Sequence, residues 1–128
     1  MTSKFTELAI DCADPRGLAR FWCSVLDYEV HDEADGVVTI GPPRVPRGKN
    51  DLGLVPPALT FAHVPEGKTG KNRLHLDVNP ADREQGEEVR RLLDLGARHA
   101  DVGQGEESWV VLADPEGNEF CVLAGRRP

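Results

Sequence analysis

A run of alternating apolar and polar residues just past the middle of the chain, KNRLHLDV, predicts a β-strand. Leu74, Leu76 and Val78 occupy one face of this pattern. The opposite face carries three ionisable side chains, namely Arg73, His75 and Asp77. A face of this kind lies either against water or against a polar cavity, because burying unpaired charges costs free energy. Which of these holds is the main functional question of the chain.

The same patterns predict the start of the chain. Residues 5–12 alternate with a period of two, which predicts a strand. Asp14-Pro15 then supplies an N-cap followed by proline at the first helical position. A stripe of apolar residues at helical spacing follows and predicts a helix over 15–27; its members are Leu18, Phe21, Trp22, Val25 and Leu26.

Three further segments complete the first half. Residues 28–31 and 37–40 are predicted to pair as a hairpin. Residues 42–57 are rich in proline, glycine and basic residues, which predicts a long loop with a short strand at 52–55. Residues 58–64 are predicted to form another strand.

The second half begins after a turn-rich segment at 65–70, which is the best candidate for a linker. A helix is predicted to begin at about 80–83 and to end at Leu95, with Gly96 just beyond it. Either Asn79-Pro80 or Asp82 is the predicted cap of this helix.

The order strand, helix, three strands therefore occurs twice. In the second copy the last strands are predicted near 97–102, 109–113 and 119–123, and DPEGN closes the final hairpin. Sliding one half on the other by 68 residues aligns Glu7 with His75. The match is in polar and apolar pattern more than in identity. Two similar units suggest duplication, which generates a pseudo-two-fold axis with a cleft between or beneath the units.

The composition limits the classes of molecule that the protein is expected to bind. The chain has 128 residues, 39% hydrophobic and 29% charged, which predicts one globular domain. A formal net charge of −7 argues against non-specific nucleic-acid binding. The chain has no apolar run long enough to span a membrane, so no membrane partner is expected. MTSKFTELAID does not match a signal peptide, so a cytoplasmic location is expected. Three cysteines without CxxC spacing are interpreted as reduced, buried thiols; they are Cys12, Cys23 and Cys121.

Together, DCADPRGLARFW, VLDY, KNRLHLDV and WVVLADPEGNEFCVL resemble the vicinal oxygen chelate superfamily, and within it the glyoxalase-like subgroup related to bleomycin-resistance proteins. The resemblance covers nearly the whole chain. It implies an α+β fold in which two βαβββ modules form an open, cup-shaped eight-stranded barrel. The implied single domain covers 1–128, with module one at about 4–64 and module two at about 71–125. A homodimer is also implied.

The resemblance further implies where a divalent metal would bind. In metal-binding members the ligands come from the first and last strands of each module. The matching positions are Glu7, His75 and Cys121, where Cys121 replaces the usual glutamate; the fourth falls on Ala62, which offers no ligand. Imidazole and carboxylate suit Zn, Ni, Fe or Mn, and a thiolate favours Zn or Fe. The alternative for Cys121 is a small core residue. Otherwise the cofactor is unknown.

Catalysis, if present, is assigned to His75 and Glu7. Three further residues are predicted to bind a ligand, namely Arg73, Asp77 and Trp109. Asp77 is expected to tune His75, and Trp109 forms either a pocket wall or core.

Three function hypotheses remain open. The first is a protein that binds a small molecule in a cup without an obligatory metal. The second is a metal-dependent lyase, isomerase or dioxygenase of the same superfamily. The third is a non-catalytic dimeric module. Fold alone does not choose among them, so whether the protein is an enzyme stays open.

Overall fold

The computed structural model describes residues 2–43, 56–105 and 107–127. The chain divides into two compact units, Met1–Gly67 (unit one) and Lys68–Pro128 (unit two). Each unit contains one helix and a four-stranded sheet. No helix in the described ranges has the length and apolar character needed to cross a membrane.

The predicted strand at 52–55 lies outside the described residues, as does most of the predicted loop at 42–57. Unit one otherwise follows the predicted order. Its elements are β1 (Glu7–Cys12), α1 (Pro15–Leu26), β2 (Glu29–Ala34), β3 (Val37–Gly41) and β4 (Ala58–His63).

The sheet of unit one has the strand order β1-β4-β3-β2. β1 runs parallel to β4, whereas β2, β3 and β4 are joined by antiparallel pairing. A parallel pair cannot be closed by a tight turn, so the chain crosses over through α1. α1 begins as predicted, because the Asp14 carboxylate accepts the Gly17 backbone N–H at 3.1 Å. Its apolar stripe is buried at Leu18, Ala19, Phe21 and Trp22.

Unit two repeats this arrangement. Its elements are β5 (Leu76–Val78), α2 (Gln85–Leu95), β6 (Arg98–His99), β7 (Val110–Ala113) and β8 (Glu119–Val122). The strand order is β5-β8-β7-β6, again with the first and last strands parallel. The buried apolar residues of α2, β7 and β8 include Leu92, Leu112, Phe120 and Val122. The predicted α+β fold of two βαβββ modules is therefore confirmed.

The strand predicted over KNRLHLDV is shorter than its pattern suggests. β5 starts at Leu76, and the Leu74 side chain is 80% exposed instead of lying on a buried face. The reason is the partner strand. β8 begins only at Glu119, so the residues before His75 have no strand to pair with in the described part of the chain.

The predicted caps of the second helix are wrong. α2 begins at Gln85, with Glu84 at the N-cap position. Asn79 and Pro80 form hydrogen bonds with the C-terminal segment instead. The Asn79 side-chain amide donates to the Gly125 carbonyl at 2.7 Å. The Pro80 carbonyl accepts the Arg127 backbone N–H at 2.8 Å. Gly96, at a φ of 120°, ends the helix as predicted.

The turn between β7 and β8 is built around one buried carboxylate. Asp114 is fully buried, and its Oδ1 accepts the backbone N–H groups of Glu116 and Asn118, each at 2.9 Å. The Asn118 side-chain amide donates to Asp114 Oδ2 at 3.0 Å. These bonds fix the hairpin that positions β8.

We expect Asp114→Ala to lower the free energy of unfolding by roughly 2–4 kcal/mol, because two backbone N–H groups lose their acceptor. Urea denaturation measures the change. The control is Asp101→Ala, since Asp101 accepts the Gly103 backbone N–H at 2.8 Å in an exposed turn. The control should change the free energy by less than about 0.5 kcal/mol. Equal effects of the two substitutions would contradict the role given to Asp114.

Candidate functional site

A cavity of about 350 Å³ lies on the sheet of unit two. This is the small end of the range typical of ligand sites, roughly 300–1,000 Å³. Its apolar lining consists of Val102, Trp109, Val111 and Leu123. Its polar lining consists of Lys71, His75, Asp77, Gln104, Glu119 and Cys121. The cavity thus combines an apolar wall with a cluster of ionisable groups.

Strand register explains why these side chains converge. Asp77 on β5 lies opposite Cys121 on β8, and Cys121 lies opposite Val111 on β7. Residues in register share one face of a sheet, so these three form a row across it. The neighbouring row contains Phe120 and Leu112, which are buried on the other face. Alternation along β5 and β8 therefore places the cavity-lining residues on one face of the sheet and Phe120 and Leu112 on the other.

Three polar side chains meet at this face and form the His75–Asp77–Cys121 group. The His75 Nδ1 atom lies 3.1 Å from Asp77 Oδ1 and 3.9 Å from Cys121 Sγ. One ligand atom from each residue lies within 4.8 Å of the other two, which is close enough to hold one metal ion. His75 and Asp77 are about half-exposed, whereas Cys121 is buried.

The surroundings keep Cys121 protonated. Burial raises the pKa of the Cys121 thiol, and so do the negative charge of Asp77 and a hydrogen bond to it. The positive charge of Lys71 acts in the opposite direction but is the smallest of these effects. Because the thiolate is the nucleophilic form, Cys121 is not prepared for nucleophilic attack.

Glu119 ties the start of unit two to the rim of the cavity. Its Oε1 accepts Lys68 Nζ at 2.9 Å, and its Oε2 accepts the Asn72 backbone N–H at 2.9 Å. Burial by itself would raise the pKa of Glu119, but the hydrogen bonds from Lys68 and Asn72 outweigh it and hold the pKa below its usual value. Glu119 is not among the predicted site residues. Its alternation with Cys121 along β8 is the signal that places it on the same face.

The predicted site residues fall into two groups. His75, Asp77, Trp109 and Cys121 line the cavity, which brings four of them together in unit two. Arg73 is exposed and is not among the lining residues. The functional roles of all these residues stay predictions.

Glu7 belongs to unit one, where it begins β1 and accepts a hydrogen bond from the Thr60 hydroxyl. The Thr60 hydroxyl in turn lies 3.3 Å from that of Thr39 on β3. Glu7 is thus held by a row of threonines in its own sheet. Its predicted part in metal binding and catalysis stays a prediction.

Strand register corrects the predicted fourth metal-ligand position. Ala9, which is 68 residues before Asp77, lies opposite Thr60, just as Asp77 lies opposite Cys121. The unit-one counterpart of Cys121 is therefore Thr60 and not Ala62. The sequence could not show this, because the segment between β3 and β4 is much longer than the segment between β7 and β8, so the two halves do not align there by counting residues.

The family model of the glyoxalase-like domain matches residues 7–123. The chain therefore belongs to the glyoxalase-like family, within the vicinal oxygen chelate superfamily. No curated protein sequence matches the chain at a significant level.

Solved structures support the same fold. A glyoxalase/bleomycin resistance protein/dioxygenase family enzyme from Burkholderia phytofirmans PsJN has a TM-score of 0.67 at 14% identity, covering 94% of this chain and 97% of that chain. The fosfomycin resistance protein FosX from Listeria monocytogenes, in complex with Mn(II) and 1S,2S-dihydroxypropylphosphonic acid, has a TM-score of 0.66 at 13% identity, covering 98% and 91%. The oxidase ChaP-H2 has a TM-score of 0.60 at 16% identity, covering 100% and 96%. Likeness at these identities shows the fold alone.

The lowered pKa of Glu119 predicts a dependence of stability on pH. A carboxylate whose pKa is lower in the folded state contributes stability above its unfolded pKa, and this contribution is lost as the pH falls through the folded pKa. We expect acidification from neutral pH to about pH 3 to lower the free energy of unfolding more in the natural protein than in Glu119→Gln. Urea denaturation across this pH range measures the difference, and parallel curves would contradict it.

Proposed function

We propose that this protein binds a small molecule in the cavity of unit two and needs no metal to do so. The single observation that carries the proposal is the cavity of about 350 Å³, in which an apolar wall adjoins the His75–Asp77–Cys121 group. A site with mostly apolar lining and a few converging polar groups is typical of small-molecule binding.

The chemistry of the polar group supports a metal-free site. His75 and Asp77 already satisfy each other through the 3.1 Å contact. Burial and Asp77 both raise the pKa of the Cys121 thiol, so a metal would have to displace a tightly held proton. Binding a neutral organic molecule carries no such cost.

The homodimer implied by the family resemblance is also part of the proposal.

The apolar wall provides the area for affinity. Trp109 is 37% exposed, so part of its ring is open to the cavity that it lines with Val111 and Leu123. Each Å² of apolar ligand surface that this wall covers contributes about 25 cal/mol to the binding free energy. The polar group would then set the orientation of the ligand.

A thermal-shift screen of small aromatic and hydroxy-carbonyl compounds tests the proposal. We expect compounds that raise the melting temperature of the natural protein and whose affinity falls about 10-fold or more in Trp109→Ala, because a buried aromatic contact is worth on the order of 1–2 kcal/mol. Arg90→Ala is the control, since Arg90 lies exposed on α2 and outside the lining. If no compound shifts the melting temperature, the proposal is wrong.

A second candidate is a metal-dependent lyase, isomerase or dioxygenase. The observation that favours it is the spacing of the His75–Asp77–Cys121 group, whose ligand atoms lie within 4.8 Å of one another. An imidazole, a carboxylate and a thiol fit a divalent ion such as Zn or Fe, and the first two also suit Ni or Mn. FosX from Listeria monocytogenes was solved with Mn(II). When bound, such an ion would act as a Lewis acid toward substrate oxygens.

Elemental analysis after purification without chelator separates the two candidates. The metal-dependent candidate requires about one ion per chain in the natural protein and its loss in His75→Ala. The leading proposal predicts no stoichiometric metal in either protein and no thermal shift on adding Zn, Ni, Mn or Fe. Stoichiometric metal that His75→Ala removes would therefore reject the metal-free site.

A further inference from the structure

The contacts of His75 fix which of its ring nitrogens carries the proton. The Nδ1 atom is the one that lies 3.1 Å from Asp77 Oδ1. An ionised carboxylate can only accept a hydrogen bond, so Nδ1 must carry the hydrogen in this contact. In a neutral imidazole the other nitrogen, Nε2, then has a free lone pair. Within the described ranges of the chain, Nε2 of His75 has no hydrogen-bond partner.

The same atom assignment removes Cys121 as a candidate nucleophile. Cys121 Sγ also approaches His75 at Nδ1, at 3.9 Å. A nitrogen that already carries a proton cannot take the thiol proton, which a Cys–His pair requires. Asp77 therefore accepts from His75, and Cys121 stays a thiol beside this pair.

We propose, on the basis of the binding function proposed above, that the cavity takes a small aromatic molecule with a weakly acidic hydroxyl group, of the phenol class. Its O–H donates to Nε2 of His75, and its ring lies against Trp109. Asp77 is a positioning residue, since it acts on the ligand only by fixing the tautomer and orientation of His75.

The polar groups explain why the ligand is a neutral donor. A lone pair on Nε2 accepts a hydrogen bond, so the ligand group that meets it must carry an O–H or N–H. The lining contains one lysine, Lys71, against two carboxylates, Asp77 and Glu119. An anionic ligand group at Nε2 of His75 would meet a lone pair beside the Asp77 carboxylate instead of a hydrogen-bond donor.

The shape of the cavity explains why the ligand is aromatic. Trp109 is 37% exposed and lies beside Val111 and Leu123 in the lining. Aromatic rings gain from offset stacking or edge contacts with such a ring, beyond the area that they bury. A volume of about 350 Å³ lies at the small end of the range for ligand sites, which suits a small molecule.

The tautomer is tested without any ligand, by long-range nitrogen–proton NMR of the histidine rings in the protein as purified. The measurement is made at about pH 8. We expect His75 to carry its hydrogen on Nδ1 in the natural protein and to lose this preference in Asp77→Ala. A hydrogen on Nε2 in the natural protein would overturn the inference.

The ligand class is tested by calorimetric titration with phenol, anisole and benzoate. Phenol carries the donor, anisole has it methylated, and benzoate is an anion. We expect phenol to bind about 5-fold more tightly than anisole or benzoate, the usual effect of one hydrogen bond, and Asp77→Ala to abolish this preference. Arg90→Ala should keep it, because Arg90 lies exposed on α2 and outside the lining.

The two proposals fail in different ways. Equal affinity for phenol and anisole, or no affinity for either while other compounds from the thermal-shift screen bind, overturns the inference and leaves the small-molecule site intact. If no compound in the screen binds, the proposed function itself is wrong. The NMR measurement then still decides whether Asp77 fixes the His75 tautomer.

Discussion

The parallel pairing of the first and last strands is the constraint on which each unit depends. β1 pairs with β4 and β5 with β8 in the same direction, and each pair needs a helical crossover between its strands. This pairing joins residues that are far apart in sequence. In unit two it places Asp77 opposite Cys121, so the site forms only when β5 and β8 pair in this register. The buried Asp114 turn supports it by fixing β8 against β7.

The elements that sequence patterns predict well are those whose signals are local. α1 has its cap, its proline and its apolar stripe within one continuous segment. The errors occur where a distant partner decides the outcome. β5 is short because β8 starts at Glu119, and α2 starts late because Asn79 and Pro80 bond to the C-terminal segment. Neither partner is visible in the local sequence.

The candidate site follows the same division. Alternation and family resemblance together point to His75, Asp77, Trp109 and Cys121, and all four line the cavity. Three polar lining residues are not among the predicted site residues, namely Lys71, Gln104 and Glu119. Period-two alternation places Lys71 with His75 and Glu119 with Cys121, whereas Gln104 lies in a segment without strand or helix periodicity. Thr60 is missed for another reason, since only the register of β4 shows that it corresponds to Cys121.

Both metal binding and the tautomer of His75 depend on the Nδ1 atom of its ring. His75 Nδ1 lies near both Asp77 and Cys121, so an ion held by all three side chains through this nitrogen would replace the proton that Nδ1 shares with Asp77. With that proton in place, Nε2 is the basic nitrogen and Asp77 orients it. An ion held here would take Asp77 as a ligand and would require Cys121 to lose its proton. A binding protein and a metal enzyme can therefore differ here by the occupant of one nitrogen, without any change of fold.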